Sequence, residues 1–166
     1  MSDIIQSTDF LSGPYSIPQD ECSNIQPWID KYEKQYLIEL LGCELYDLFI
    51  ADLVDGVPQT QRFIDIYNEF CIDDDSCVRR SEGMKEMVKQ LVYFYIMRDL
   101  PVRKTQTGVY FNNNEVSNGP TYSNFNLIEG FNDGVRNYHE IQWYIDDNLS
   151  TYPEENMQPL DYISGI

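Results

Sequence analysis

The stretch from Ser81 to Pro101 carries the most regular apolar pattern in the chain. Its apolar residues recur at spacings of three and four, which is the periodicity of a helix with one buried face. They are Met84, Met87, Val88, Leu91, Val92, Tyr95 and Ile96. Ser81 suits an N-cap, because its hydroxyl accepts hydrogen bonds from free helical amides, and the residue before Pro101 avoids helical geometry. The pattern predicts a buried helix that begins near Ser81 and ends at Asp99.

Four other segments show the same periodicity, and their boundaries are marked by turn-forming residues. Gly42 suits a C-cap or a sharp bend between two helices, and Asp55-Gly56-Val57-Pro58 is a strong turn. Asp73-Asp74-Asp75-Ser76 is predicted to be a polar loop. Gly130 and Gly134 lie inside the last segment, where we expect them to permit the close approach of another backbone. The predicted helices span about residues 20–42, 43–54, 59–70 and 125–148.

Residues 102–122 differ in kind from the helical segments. Strand-favouring residues come first, and turn sequences follow at Asn112-Asn113-Asn114 and Asn118-Gly119-Pro120. Two short strands do not form a stable sheet alone, so a hairpin here needs support from its own helices or from a partner. The sequence thus predicts a mainly α protein: a bundle of about four to five helices over residues 20–151, with an inserted β-hairpin at 102–122 and extended N- and C-terminal arms.

The two terminal segments are apolar without being periodic. Residues 1–19 contain two prolines, one of them in the pair Gly13-Pro14, which predicts an extended N-terminal arm rather than a helix. Residues 152–166 follow Tyr152-Pro153 and form a C-terminal tail with no helical pattern. Both segments carry too many apolar residues to extend freely into water. Each is therefore expected to lie on its own domain or on a neighbouring molecule.

The charge of the chain excludes one large class of function. There are 28 acidic residues against 11 Lys and Arg, which gives a formal net charge of −17. Nucleic-acid affinity depends mainly on cations that neutralise phosphates, so specific DNA binding is not expected. Such a surface could face DNA without holding it, or the acidity could serve solubility alone. The 13 tyrosines suit surfaces that are wet when free and dry when assembled, although Tyr is also common in cores.

Motifs for metal binding and catalysis are absent from the sequence. Cys71 and Cys77 are too far apart for a zinc pair, and the run Asp73-Asp74-Asp75 lacks the spacing of a calcium loop. His139 is the single histidine, and it is expected on a surface or interface rather than as a catalytic base. Neither a nucleophile elbow nor a phosphate-binding loop is present. The sequence therefore predicts a protein that is not an enzyme and has no cofactor.

The first residues lack the basic and apolar regions of a signal peptide, and no apolar run approaches the roughly 18 residues of a membrane span. We therefore expect no membrane association and a reducing compartment. The thiols of Cys22, Cys43, Cys71 and Cys77 are accordingly expected to be free. The densest cations are Arg79, Arg80, Arg98, Arg103 and Lys104. They could pair with this chain's own carboxylates or with those of a neighbouring copy.

The order of these parts resembles a known family. A helix ends in Tyr36-Leu37-Ile38-Glu39-Leu40-Leu41-Gly42, and Glu44-Leu45-Tyr46-Asp47-Leu48-Phe49 follows. An apolar helix then ends at Arg98-Asp99, and Thr105-Gln106-Thr107-Gly108-Val109 precedes a long helix with Tyr138, Ile141 and Tyr144-Ile145. Over residues 20–150 the chain is similar to the head–tail connector (adaptor) proteins of tailed bacteriophages.

The resemblance implies a structural virion protein without catalytic residues. Copies of such connectors form a ring, typically dodecameric, that docks beneath the portal protein and extends the DNA channel toward the tail proteins. The arms and the hairpin are the segments expected to contact partners. The interaction residues implied here are Ile4, Ile5, Phe10, Tyr15, Arg103, Lys104, Val109, Tyr110, Phe111, Leu160, Tyr162 and Ile166. The alternative is a small acidic helical phage protein with an interaction or regulatory role, acting as a monomer or dimer.

Overall fold

A computed structural model describes residues 4–17, 24–74, 77–99, 102–105, 108–111 and 121–164. A short 3-10 helix occupies Ser7–Phe10. The α-helices are α1 (Gln26–Leu41), α2 (Cys43–Asp52), α3 (Gln61–Tyr67), α4 (Met84–Asp99) and α5 (Thr121–Asp147). The strands are β1 (Leu53–Val54), β2 (Val57–Pro58), β3 (Phe70–Asp74), β4 (Cys77–Ser81), β5 (Val102–Thr105) and β6 (Gly108–Phe111). Over these ranges the strands form three separate antiparallel pairs, β1–β2, β3–β4 and β5–β6.

The fold is mainly α, as the apolar periodicity predicts. Helix α4 is central, because it packs against both α5 and α1. Six of the seven residues in its predicted stripe are buried, from Met84 to Ile96, while Tyr95 is half-buried. Complete burial of such a side chain contributes about 1.5–3 kcal/mol relative to exposure. The stripe therefore fixes how α4 lies between its two neighbours.

Gly42 separates α1 from α2, as predicted. Its backbone has φ +76° and ψ 164°, a combination that is accessible essentially to glycine alone. A Cβ at this position would lie 2.9 Å from the Cβ and from the backbone nitrogen of Asn156. Both the bend and the close approach of the C-terminal segment therefore require glycine here.

The two glycines within α5 permit close approach, but of side chains rather than of a backbone. A Cβ at Gly130 would lie 3.0 Å from the ring of Tyr15, and one at Gly134 would lie 2.9 Å from the side chain of Leu91. The N-terminal arm and α4 can therefore pack more closely on α5 than a side chain at either position would allow.

The predictions for residues 68–74 and for Ser81 are wrong, while the rest of the predicted polar loop, residues 75–76, lies outside the described residues. Helix α3 ends at Tyr67, three residues early, and Phe70 begins a β-hairpin where a helix end and a polar loop are predicted. Ser81 belongs to β4 rather than capping α4, and its hydroxyl accepts a hydrogen bond from the amide of Gly83 (3.1 Å). The reason is tertiary, because the hairpin is held against α5 by Phe70 and Arg79.

The inserted hairpin between α4 and α5 is present, with β5 and β6 in the register Val102↔Phe111 to Thr105↔Gly108. Helix α5 begins at Thr121, so the last two residues of the predicted insertion are helical. In the N-terminal arm, the 3-10 helix replaces part of the extended backbone that its prolines suggest. The bounds of these elements thus shift by a few residues, while the order of the five helices and of the inserted hairpin stays as predicted.

Candidate interaction surfaces

The N-terminal arm lies on its own domain. Ile4, Ile5 and Phe10 are buried in the core of the same chain. Their side chains are therefore not exposed for the partner contacts expected of them. Tyr15 is half-buried beside α4 and α5, with its ring edge-on to Tyr93 at 5.5 Å between centroids. Burial, followed by the nearby carboxylate of Asp133, raises the Tyr15 pKa to about 12.

Polar contacts fix this arm at its start and at its middle. The amide of Ile4 donates to the buried carboxylate of Glu33 on α1. Asp9 forms an ion pair with Lys85 of α4 at 2.9 Å. The amide of Ile17 donates to the carbonyl of Phe10 at 2.7 Å, which folds the arm back on itself. Residues 4–17 are therefore an integral part of the domain rather than a free extension.

The C-terminal tail completes the end of α1. The last carbonyls of a helix have no partner within the helix. Here the amide of Gln158 donates to the carbonyl of Glu39 at 2.7 Å, and the amide of Asn156 donates to that of Leu41 at 3.4 Å. The tail thus supplies hydrogen bonds that the sequence pattern of α1 gives no reason to expect.

The same tail is bound along α5 through its main chain. The carbonyl of Gln158 accepts from the hydroxyl of Tyr138 (2.7 Å) and from the side-chain amide of Gln142 (2.8 Å). The carbonyl of Leu160 accepts from Nε2 of His139 at 2.8 Å. His139 therefore has a structural contact, with its ring edge-on to Tyr162 at 5.3 Å.

The predicted site residues of the tail have different environments. Leu160 is half-buried and packs against the core, together with Met157 and Ile163. Tyr162 is 51% exposed, so about half of its surface remains accessible to solvent beside His139. Ile166 lies outside the described residues. Tyr152, where the tail begins, is buried, and its hydroxyl donates to the carbonyl of Arg62.

The β5–β6 hairpin contains the other predicted site residues. Arg103 is paired with Tyr110 and Lys104 with Val109, while Phe111 is opposite Val102. Over the described ranges, β5 and β6 pair only with each other. Each strand therefore has an outer edge without a strand neighbour in that part of the chain, and such an edge can pair with another polypeptide.

The β3–β4 hairpin, which the sequence did not reveal, has two different faces. One face packs on α5, where Phe70 contacts Tyr144 and the guanidinium of Arg79 lies 4.7 Å from the centre of the Trp143 ring. Alternation along the strands places the other face toward solvent. We call this outer surface the hairpin face; among the residues whose exposure the structure describes, it presents Cys71, Val78 and Arg80, with Val78 63% exposed. The strand-favouring residues Phe70, Ile72 and Val78 were the available signal for a strand.

Two clefts adjoin Arg80. One has a volume of about 360 Å³ and is bordered by Glu69, Phe70, Cys71 and Ser81. The other has about 280 Å³ and is bordered by Glu82, Asp133, Arg136 and Asn137. In the second cleft, the carboxamide of buried Asn137 already has hydrogen-bond partners: it accepts from the amide of Glu82 and donates to the side chain of Gln90. The hairpin face is thus uneven, with Arg80 standing between two depressions.

A second exposed surface combines apolar and acidic residues. Three of the seven large apolar residues that are strongly exposed in the described chain, Leu48, Val54 and Val57, fall within ten residues of sequence. Glu44, Asp47 and Ala51 are exposed with Leu48 on α2, at the spacing of one helix face. Asp55 lies in the turn between Val54 and Val57, which are paired across β1 and β2. We call this surface the acidic patch.

Most cations with described side chains are paired within the chain. Between side chains that the structure describes, there are six ion pairs: Arg62–Glu154, Arg79–Glu140, Lys85–Asp9, Lys89–Glu86, Arg98–Asp99 and Arg136–Asp133. Arg79 and Arg98 therefore use local carboxylates, which was one of the two alternatives for these cations. Arg80 has no ion pair with any side chain that the structure describes.

Within the described residues, no three side chains of His, Cys, Asp or Glu come together in an arrangement that could hold a metal ion. Cys43 and Cys71 are exposed free thiols. None of the helices in that part of the chain has both the length and the apolar character that crossing a bilayer requires.

Comparison of the chain with models of protein families, with curated proteins and with solved structures found no match.

Proposed function

We propose that the chain is a structural subunit of a head–tail connector ring in a tailed bacteriophage. Copies would form a ring, with twelve members if it follows the family it resembles, docked on the portal protein and extending the DNA channel toward the tail. In this role the chain resides at the head–tail interface of the virion, after assembly in the host cytoplasm. The fold supplies the parts that such a subunit needs: a helical body and a hairpin inserted between α4 and α5.

The observation that carries the proposal is the strand pairing of β5 and β6. Within the described ranges these strands bond only to each other, so the main-chain groups on their outer edges remain for a neighbour. Extended segments commonly bind by adding a strand to such an edge. A hairpin on every subunit lets each copy contact the next copy, the portal or the tail through the same segment.

The charge of the chain is consistent with this role. With a formal net charge of −17, a ring of many copies would present a strongly negative wall. DNA, which is also negative, would pass such a wall without being held. Acidic residues lining the channel would therefore favour movement of DNA during packaging and ejection. A ring whose lumen proved neutral or basic would contradict this part of the proposal.

A small acidic interaction or regulatory protein is the second candidate, and a different observation favours it. The arm is buried in its own domain and the tail is bound along α1 and α5. A single copy thus covers much of the apolar surface that the sequence suggested for neighbours. A monomer or dimer with an acidic exterior could act by mimicking DNA.

A replacement of residues 102–119 by a short Gly-Ser linker tests the connector role. The variant should keep its helical circular dichroism, because the core helices do not include these residues. We expect phage carrying it to produce heads and tails that fail to join. Normal yields of infectious particles would contradict the proposal. Light scattering of the full chain, alone and with portal protein, separates the two candidates, since only the connector should form large assemblies.

A further inference from the structure

The hairpin face and the acidic patch have opposite character within one chain. The hairpin face presents Arg80, which has no ion pair among the described side chains, next to the exposed side chain of Val78. Arg79 faces α5 and pairs with Glu140, and Arg136, on the border of the second cleft, pairs with Asp133. Cations are scarce in this chain, with 11 in 166 residues. An exposed arginine that pairs with none of the carboxylates whose side chains the structure describes can bind a carboxylate of another molecule.

The acidic patch is the complementary surface. Residues 35–61 include five carboxylates and not one Lys or Arg. Glu44 and Asp47 lie with Leu48 on the exposed face of α2, four residues and one residue before it. Val54 and Val57 project from the tight β1–β2 turn, at 57% and 50% exposure. A protruding apolar turn bordered by acids fits an uneven surface that presents an arginine and a valine.

We propose that the acidic patch of one copy docks on the hairpin face of a second copy. In this contact Arg80 binds the carboxylates of Glu44 and Asp47 of the other molecule. The exposed side chains of Val78 on one copy and of Leu48, Val54 and Val57 on the other are covered together. Because charged groups at an interface mainly select the partner and fix the orientation, the apolar residues keep the two copies together.

The two surfaces are different parts of the molecule, so the contact is head-to-tail. A contact of this kind leaves one free surface of each type at the ends of any dimer, and it closes into a ring when the rotation permits. The inference rests on the proposed ring and names the surfaces that join its members. It assigns the lateral contacts to β3–β4 and α2, and it leaves the β5–β6 hairpin for other partners.

Charge reversal on the full-length chain tests this contact by sedimentation velocity. The measurements are made at about 0.15 M salt, where the screening length is about 8 Å. At this ionic strength the long-range repulsion between acidic molecules is suppressed, while ion pairs in direct contact persist. The unaltered chain should associate increasingly with concentration. Arg80→Glu, and separately the pair Glu44→Lys and Asp47→Lys, should each weaken association about tenfold or more, because each juxtaposes like charges.

Mixing the two variants gives the sharper result. In an equimolar mixture every new junction pairs opposite charges, so association should return to near the level of the unaltered chain. Matched controls carry the same change in net charge elsewhere. Lys34→Glu, on the exposed side of α1, is the control for Arg80→Glu, and Asp146→Lys with Asp147→Lys, exposed at the end of α5, is the control for the α2 pair. Neither control should change association.

The outcomes separate this contact from the wider proposal. A chain that stays monomeric at every concentration, alone and with portal and tail proteins, would contradict both. If the charge-reversed variants at Arg80 and on α2 still form oligomers as the unaltered chain does, this contact is wrong, while the proposed ring is not contradicted. Variants that lose association and fail to recover it on mixing would also overturn the contact. The same variants are compared in the presence of portal protein if oligomers form only there.

Discussion

Asn132 and Ile163 exchange two hydrogen bonds: the carboxamide of Asn132 donates to the carbonyl of Ile163 at 3.0 Å and accepts from its amide at 2.9 Å. A side chain on α5 thus satisfies both main-chain groups of one tail residue, as a neighbouring strand would. Side chains of Tyr138, His139 and Gln142 likewise bind main-chain carbonyls earlier in the tail, those of Gln158 and Leu160. A segment without periodic sequence therefore has a defined position.

Substitution of Asn132 by alanine should release the end of the tail. Both groups of Ile163 would lose their partner, and the loss of part-buried hydrogen bonds costs about 1–3 kcal/mol. We expect faster hydrogen exchange over residues 160–164 and a lower free energy of unfolding in urea. Glu129→Ala, on the exposed side of the same helix, is the control and should alter neither quantity. Unchanged exchange at the tail in Asn132→Ala would show that these bonds do not hold it.

Gly42→Ala should be more damaging than an ordinary glycine substitution. It combines an unfavourable positive φ with a Cβ only 2.9 Å from Asn156. Gly13 has a positive φ of 92° but open space around it, so Gly13→Ala measures backbone strain alone, at about 1–3 kcal/mol. We expect Gly42→Ala to lose more stability than this control and to speed exchange of the Asn156 and Gln158 amides. If both variants lose the same free energy of unfolding, the tail moves away from the added methyl group at no cost in stability.

The contact between Trp28 and Asp99 should make the free energy of unfolding depend on pH in the acidic range. The indole of Trp28 donates to the carboxylate of Asp99 at 3.1 Å. The hydrogen bond from Arg98, opposed by partial burial and aided by Trp28, lowers the Asp99 pKa below its ordinary value. The folded pKa is thus below the unfolded one, so this contribution is present above about pH 4 and is lost as the pH falls through the folded pKa.

Urea unfolding of the unaltered chain and of Asp99→Asn at several pH values measures this effect. The difference in free energy of unfolding should be constant near neutral pH and should shrink below about pH 4. Asp146→Asn, at an exposed position on α5, controls for the loss of one negative charge. A difference for Asp99→Asn that stays the same down to pH 2 would contradict the assignment.

The helical part of the fold could be predicted because its signals are local. The stripe of α4 follows from the spacing of its apolar residues, and Gly42 marks a bend that few other residues could adopt. The β5–β6 hairpin was predicted from strand-favouring residues between two helices. In each case the sequence within a few residues contains the physical reason for the structure, so no knowledge of distant contacts was needed.

The β3–β4 hairpin and the tail could not be derived in this way. Phe70 continues the apolar spacing of α3, yet it lies in a strand because its ring packs on Tyr144, more than 70 residues later in sequence. The tail is held by carbonyls and amides of its main chain, which any residue except proline provides in full. Side-chain identity therefore carries little information about where it binds. The hairpin face depends on the first of these segments, so it emerges only in three dimensions.

Arg79 and Arg80 are adjacent in sequence, and substitution of each should have a separate consequence. The guanidinium of Arg79 lies over the ring of Trp143 and pairs with Glu140 at 3.4 Å, which holds β4 against α5. Arg79→Ala removes a cation–π contact and a part-buried ion pair, so we expect a loss of about 1–2 kcal/mol. Amide exchange in β3 and β4 should quicken, and the fluorescence of Trp143 should change.

Arg80→Ala is the matched variant on the opposite face of the same strand. Because Arg80 has no ion pair among the described side chains, its removal should leave the stability and the exchange of the monomer within about 0.5 kcal/mol of the unaltered chain. It should, however, reduce self-association. If instead Arg80→Ala destabilises the monomer as much as Arg79→Ala does, the outer face of the hairpin supports the fold rather than a partner.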